Sequence, residues 1–432
     1  MLYKYFCACF LSNNKTNILS ELSFGDNKSN SKMESVNSSQ SESVTMKERI
    51  QQPQIVLPCS SYNETLAFFK DQLGFRVESF FPVDDPAVAV ISGYGLHIRL
   101  ERDTNASNLL VGTIRLPLSK ESEFFEKGIT ELIAPNGTKI QFVEVTSKPE
   151  IPSINQSLII NRLDIDSQWI IGRGGIRTRD VIPGRQGGRF IVSHIQIPNG
   201  GPVKDFVHSH DVRFQMVYVY KGSMRLVYEN QGDPFVLRAG DCVLQPPMIR
   251  HQLLECSSGL EVLAIACPAV HNTYVDNYIK LPNADQLSDR DYKGQRFIKY
   301  IATEDETKWQ PWRLSGFEYR DTGISAATQD LASVRIIRSK GDLKPQQLYD
   351  HLAEFVFIFV LTGELSLVVS SQPIEKLTAG DAFVIPQKLH YSIIECSKDI
   401  QLLEISLPGS ITTRHRNHGC SSTAADKILT RH

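Results

Sequence analysis

Apolar and polar positions change their rhythm three times along the chain. Residues 1 to 50, with stretches such as "NSSQSESVTMKE", show no periodicity and cannot bury enough apolar surface to fold alone. They are expected to form a disordered tail. A short strand, "QIVLPCSS", follows. "YNETLAFFKDQLGF" then sets Leu66, Phe69 and Leu73 at helical spacing, with Gly74 to end the helix. "AVAVISG" and "LHIRLER" read as strands. A fainter copy succeeds them, with strand "GTIRLPL", helix "KESEFFEKG" and strand "GTKIQFVEV". A β-α-β-β-β unit occurring twice is therefore expected over residues 53–146.

From about residue 170 the helical period fades. Short β-rich runs alternate with Gly, Pro and Asp turns, the pattern of sandwiches and barrels. This region repeats itself. "GIRTRD" at 175–180 matches "GFEYRD" at 316–321, an offset of 141. "LRAGDCVLQPP" at 237 matches "LTAGDAFVIPQ" at 377, an offset of 140, which "LLECSSGLEVLAIACP" and "IIECSKDIQLLEISLP" preserve. Two copies of one barrel explain the repeat most economically. The first is expected over 170–275 and the second over 316–408, with a connector at 276–315 and a tail at 409–432. The fold class expected is mainly β, two barrels preceded by an α+β domain.

Composition narrows the function classes. A formal net charge of −2 removes any argument for a large nucleic-acid or anionic-membrane surface. No apolar stretch reaches the length of a membrane helix. The opening "LYKYFCACFL" is short, interrupted by Lys4, and lacks a small-residue cleavage site, so no secretory signal is expected. The eight cysteines include no CxxC pair. Cys242, Cys256, Cys267 and Cys396 lie in apolar runs and read as small core residues. A reducing, cytoplasmic compartment follows.

The chemistry concentrates in "HSHDVRFQMVYVYKG", residues 208–222. Residues i and i+2 of a strand share a face about 6.5–7 Å apart. His208 and His210 can therefore converge on one ion inside a barrel. Gln215 follows after a turn through "DVR", and a fourth ligand, His251 in "GDCVLQPPMIRHQLLE", arrives from a distant strand. Arg213, in the turn, is a candidate for steering an anionic substrate. Arginines also cluster in "GRGGIRTRDVIPGRQGGRF", which reads either as an anion-binding entrance or as a solvated loop. Trp309 and Trp312 read as packing residues.

These two segments resemble the motifs of the cupin superfamily. Gly201, His208, His210, Gln215 and Gly222 take the places of its first motif, and Gly240, Pro246 and His251 those of its second. Gln215 stands where the family usually has Glu, and Met248 replaces a turn glycine. The resemblance implies a bicupin holding one divalent transition metal, Fe(II) favoured, with Mn, Ni, Cu or Zn also compatible with an imidazole-rich site. Residues 53–146 resemble the glyoxalase/bleomycin-resistance (vicinal oxygen chelate) superfamily through "LAFFKDQLGF" and "APNGTKIQFVE". The family's ligand positions fall there on Gln54 and Gln141, poor ligands that argue against metal chemistry in this domain.

Transferring the offsets to the second copy turns His208 into Tyr349, Gln215 into Val356 and His251 into Tyr391, and keeps only His351. His390 and Glu354 lie out of register. The second barrel is expected to be a metal-free structural partner. Three functions remain open: an oxygenase acting on a small anionic or phenolic compound, an isomerase or lyase with a Lewis-acid metal, and a metal-free ligand-binding bicupin. The expected partner is a small-molecule substrate; a homodimer is compatible, and no nucleic acid or membrane is expected.

Overall fold

The computed structural model describes residues 54–82, 85–103, 112–144, 150–166, 168–172, 175–283, 286–287, 289–304, 308–341 and 348–416. The tail expected over residues 1–50 lies outside them. The chain divides into two compact units, with a boundary at Ser147 and Lys148.

The first unit is α+β. Strand Ile55–Cys59 runs parallel to Leu96–Arg102, and Val88–Gly93 and Arg76–Phe81 complete an antiparallel continuation. The helix Tyr62–Ala67 continues through a wider turn, Phe68–Gln72, and buries Phe69 and Leu73 against Ile91, Ile98 and Leu100. Gly74 stops it at φ +74°, a left-handed conformation open to glycine without steric cost. The second half holds Thr113–Leu118 parallel to Lys139–Glu144, with Glu131–Ile133 antiparallel beside it. Among the described residues this half has one strand fewer than the first, so the expected duplication is partial.

The second unit is built of two barrels, each made of a seven-stranded sheet facing a smaller one. Alternation explains the apolar runs. In Phe214–Lys221, Phe214, Met216 and Tyr218 face a core shared between the barrels, while Val217 and Val219 face the first barrel's interior. In Phe355–Thr362, Phe355, Phe357 and Phe359 enter the shared core, and Val356, Ile358 and Val360 line the second barrel. "FVFIFVL" is thus apolar throughout because both of its faces are covered. Phe190 stacks on Phe355 at 4.0 Å across the seam.

The expected boundaries need correction. Ile298–Tyr300, inside the supposed connector, pairs with Cys242–Leu244 and extends the first barrel's large sheet. Ile159–Asn161, ahead of the first barrel, pairs instead with Ala382–Val384 of the second. Each barrel's edge is therefore covered by the segment that precedes the other, which removes an exposed row of strand hydrogen-bonding groups. Thr413–Arg416, in the supposed C-terminal tail, pairs with Leu348–His351. These edge strands are too short and too polar to show a period, so pattern alone reads them as loop.

Within the described part of the arginine-rich stretch Arg177 is exposed, while three other arginines are engaged by partners. Arg179 is buried in the seam, where it donates to Asn161 Oδ1 at 2.8 Å, to His194 Nδ1 at 3.1 Å and to the Gly380 carbonyl. His194 therefore carries its proton on Nε2 and donates it to Glu261 at 2.8 Å. Arg185 pairs with Asp180, and Arg189 with Glu354 of the second barrel. Trp312 packs in the second barrel's core. Cys59, Cys242, Cys256 and Cys267 are free and buried. No helix among the described residues is long and apolar enough to cross a membrane.

Candidate metal centre

Three elements bring the histidines together. His208–His210 pairs with His251–Cys256, placing His208 directly opposite His251. Thr273–Val275 flanks it on the other side, with His210 opposite Thr273. Gly222 makes the preceding crossover possible. At φ +79° it turns the chain from one sheet to the other, and a Cβ there would come within 2.5 Å of Ser257 Oγ. The turn before His251 has no such glycine. Met248 adopts φ +66°, and its amide donates to the His210 carbonyl at 2.8 Å, which fixes the metal-side strand end.

The ring nitrogens are sorted by their outer partners. His208 Nδ1 donates to the Phe206 carbonyl at 2.8 Å and His251 Nδ1 to the Ile249 carbonyl at 3.1 Å. His210 Nδ1 meets Thr273 Oγ1 at 2.8 Å. Each bond leaves Nε2 as the free nitrogen and sets the ring's orientation, as outer partners do for metal-bound imidazoles. One ligand atom from each of the three lies within 4.8 Å of the others. An ion about 2.1 Å from each nitrogen then needs only small side-chain rotations. Burial, with the neighbouring imidazoles, holds His210 well below the usual histidine range; burial and His208 do the same for His251. Both rings are neutral and ready to donate a lone pair.

Gln215 sits on the interior face, at the parity of Val217 and Val219. Its Oε1 is buried and has no hydrogen-bond partner, although its backbone carbonyl accepts from Gln245 at 2.9 Å. A buried amide oxygen left unpaired costs about 1–3 kcal/mol. A cation would satisfy it. The donor set fits a divalent transition metal: three clustered imidazole nitrogens, with an unpartnered amide oxygen on the interior face of the same barrel.

Other groups surround the triad. Tyr228 stacks on His251 at 5.3 Å and accepts a 2.9 Å hydrogen bond from Gln245 Nε2. His271 lies edge-on to His210 at 5.4 Å; its Nδ1 donates to the Pro268 carbonyl, and its Nε2 is buried without a partner. Sequence motifs do not find Tyr228, Gln245 or His271. The repeat does, because the second copy carries Val369, Ile385 and Ile411 at the matching places. Arg213 is elsewhere occupied: both Glu354 oxygens lie about 3 Å from its Nη1, at 3.0 and 3.1 Å. Its charge is met across the barrel boundary.

Gln54 is exposed, and Gln141 Oε1 accepts from Arg115 at 3.1 Å. Among the described residues, His208, His210 and His251 form the grouping of His, Cys, Asp or Glu side chains that could hold an ion. The described residues of the second barrel include no such grouping. His351 Nε2 donates to the Ile385 carbonyl at 3.0 Å while its Nδ1 accepts from the Ala353 amide at 3.2 Å, so neither nitrogen is free. His390 turns outward to Asp350 at 3.5 Å.

Burial, followed by the Arg313 charge, pushes His351 down to about 4. A histidine depressed in the native state is protonated first in the unfolded chain. Its stabilising contribution is complete above about pH 6.5 and is lost as pH falls towards 4. The loss is up to about 3 kcal/mol for this shift. His351→Gln should flatten the fall in urea midpoint between pH 7 and 4.5. Identical slopes in the two proteins would contradict the assignment.

Residues 193–265 match the Cupin domain family, a span from the strand Ile191–Ile197 through the triad into Leu260–Cys267. No curated protein sequence matches the chain. Among solved structures, a salicylate 1,2-dioxygenase from Pseudaminobacter salicylatoxidans is similar at TM-score 0.45 and 12% identity, over 62% of this chain and 90% of that one. An oxalate decarboxylase from Bacillus subtilis is similar at TM-score 0.43 and 12% identity, over 62% and 80%.

Proposed function

We propose that this protein is a metal-dependent oxygenase of a small, anionic, chelating organic compound, with its site in the first barrel. The observation that carries the reading is the cluster of three outward-anchored imidazoles, with Gln215 Oε1 unpaired on the same barrel's interior face. Held there, Fe(II) would supply Lewis acidity and one-electron chemistry towards dioxygen. The protein's own residues set the rest. Four neutral ligands cancel none of the ion's charge, so the pocket favours a substrate that brings an anionic oxygen with it. None of the four candidate ligands is a carboxylate, so no ligand can serve as a carboxylate base. His271 Nε2, fixed as an acceptor by the bond from Nδ1 to Pro268, can take a hydrogen bond from a substrate hydroxyl and orient it. Tyr228 and Phe297, whose rings lie 4.8 Å apart, form a dry wall behind His251. Arg213 acts as a tether between barrels through Glu354.

Oxygen uptake tests the reading. Fe(II)-loaded protein should consume O2 with a hydroxy-carboxylate or catechol-like compound from a panel, and the Zn(II)-loaded protein should not. Turnover that persists under strict anaerobiosis, or with Zn(II), assigns the site to isomerase or lyase chemistry instead.

A further inference from the structure

The second barrel has exchanged its imidazoles for a different charged interior. Strand register makes the comparison direct. Ser193 pairs with Ala264 in the first barrel, and Arg335 with Glu404 at the same places in the second. Ala264 lies opposite Val217 and Glu404 opposite the corresponding Ile358. Two small wall residues have become an ion pair. A second arginine joins them: Arg313 contacts Glu404 through Nη1 and donates from Nε to Tyr391 Oη at 3.0 Å, Tyr391 being the counterpart of His251. Arg335 Nη1 lies 3.6 Å from the other Glu404 oxygen, which also accepts from Trp312 Nε1 at 3.3 Å.

This cluster does not balance. Two guanidinium groups face one carboxylate. The Arg313 side chain is only 9% exposed and Glu404 fully buried. Nearby His351 is neutral, and Asp350 is taken up by Arg414 and His390. Arg313 Nη2 and Arg335 Nε are buried with no hydrogen-bond acceptor. Rings meet part of the excess charge, Trp312 under Arg313 at 4.3 Å and Tyr319 under Arg335 at 4.7 Å, and Arg335 Nη2 donates to the Gly409 carbonyl at 3.4 Å. The remaining buried N–H donors are costly unless an anion accepts from them. Planar guanidinium groups suit a carboxylate, whose two oxygens match their forked donors. The surrounding Trp312, Phe317, Tyr349 and Tyr391 are aromatic.

We propose that the interior of the second barrel is a binding site for a small aromatic carboxylate, held by Arg313 and Arg335 beside Glu404. It is separate from the metal centre and uses no metal. Benzoate is the probe, titrated calorimetrically into full-length protein carrying His208→Ala and His210→Ala, so that the first barrel cannot recruit an anion through a metal. One benzoate should bind per chain, and neutral benzyl alcohol should not. Arg335→Gln should weaken binding about tenfold or more, as for the loss of a charge-assisted hydrogen bond. Glu404→Gln, which removes the competing carboxylate, should tighten it. If Arg335→Gln fails to fold by circular dichroism, the Glu404→Gln result decides. Absent saturable binding, equal binding of benzyl alcohol, or an affinity unchanged or weakened by Glu404→Gln would overturn the proposal.

Discussion

His210→Ala should lose metal affinity by at least about 100-fold, or nearly 3 kcal/mol, while leaving the fold intact. The imidazole is one of three nitrogens available to the ion, and the removed ring takes its Thr273 anchor with it. Folding should survive because the barrel's stability rests on its apolar interior, Val217, Val219, Leu226 and Ile249 among others, rather than on this ring. Competition titration with a chromogenic chelator measures the affinity, and circular dichroism checks the fold. Metal affinity within a few-fold of wild type in a folded variant would place the ion elsewhere.

Gln215→Glu should move two quantities in opposite directions. With metal bound, the carboxylate cancels one unit of the ion's charge, and affinity should rise about tenfold or more, near 1.4 kcal/mol. Without metal, the same carboxylate sits in a buried position whose oxygen has no partner. Its desolvation then costs about 2 kcal/mol or more, or raises its pKa until it is neutral. The apoprotein should melt below wild type and the metal-loaded protein at or above it. An apoprotein that is as stable as wild type and binds metal no more tightly would show that residue 215 does not face the ion.

Much of this was legible because the chain contains its own control. The pairing of His208 with His210 follows from strand alternation, and His251 from the spacing of the second motif. The same offsets carry Tyr349 and Tyr391 into the second barrel, where the structure finds His351 tied at both nitrogens. Other features were hidden for physical reasons. The strands Ile159–Asn161 and Ile298–Tyr300 are three residues long, below one detectable period, and each serves the barrel that its position in the chain does not suggest. Arg213 reads as a free cation until Glu354, 141 positions away, is brought to it by barrel packing. Arg179 reads as part of a polar loop, yet lies buried because Asn161 and Gly380 arrive from distant segments to satisfy it. Long-range polar partners leave no local pattern. Glu131–Ile133 of the α+β unit is hidden for the same reason as the edge strands, being only three residues long.

The account depends most on one ion bound at one place. Crystals of the Fe(II)-loaded protein, measured on either side of the iron absorption edge, locate the metal without reference to activity. A single anomalous peak per chain should lie about 2.0–2.3 Å from Nε2 of His208, His210 and His251, with Gln215 Oε1 turned towards it. A peak near Gln54 and Gln141, a second peak in the barrel of Tyr349 and Tyr391, or no peak at the triad after reconstitution would contradict it.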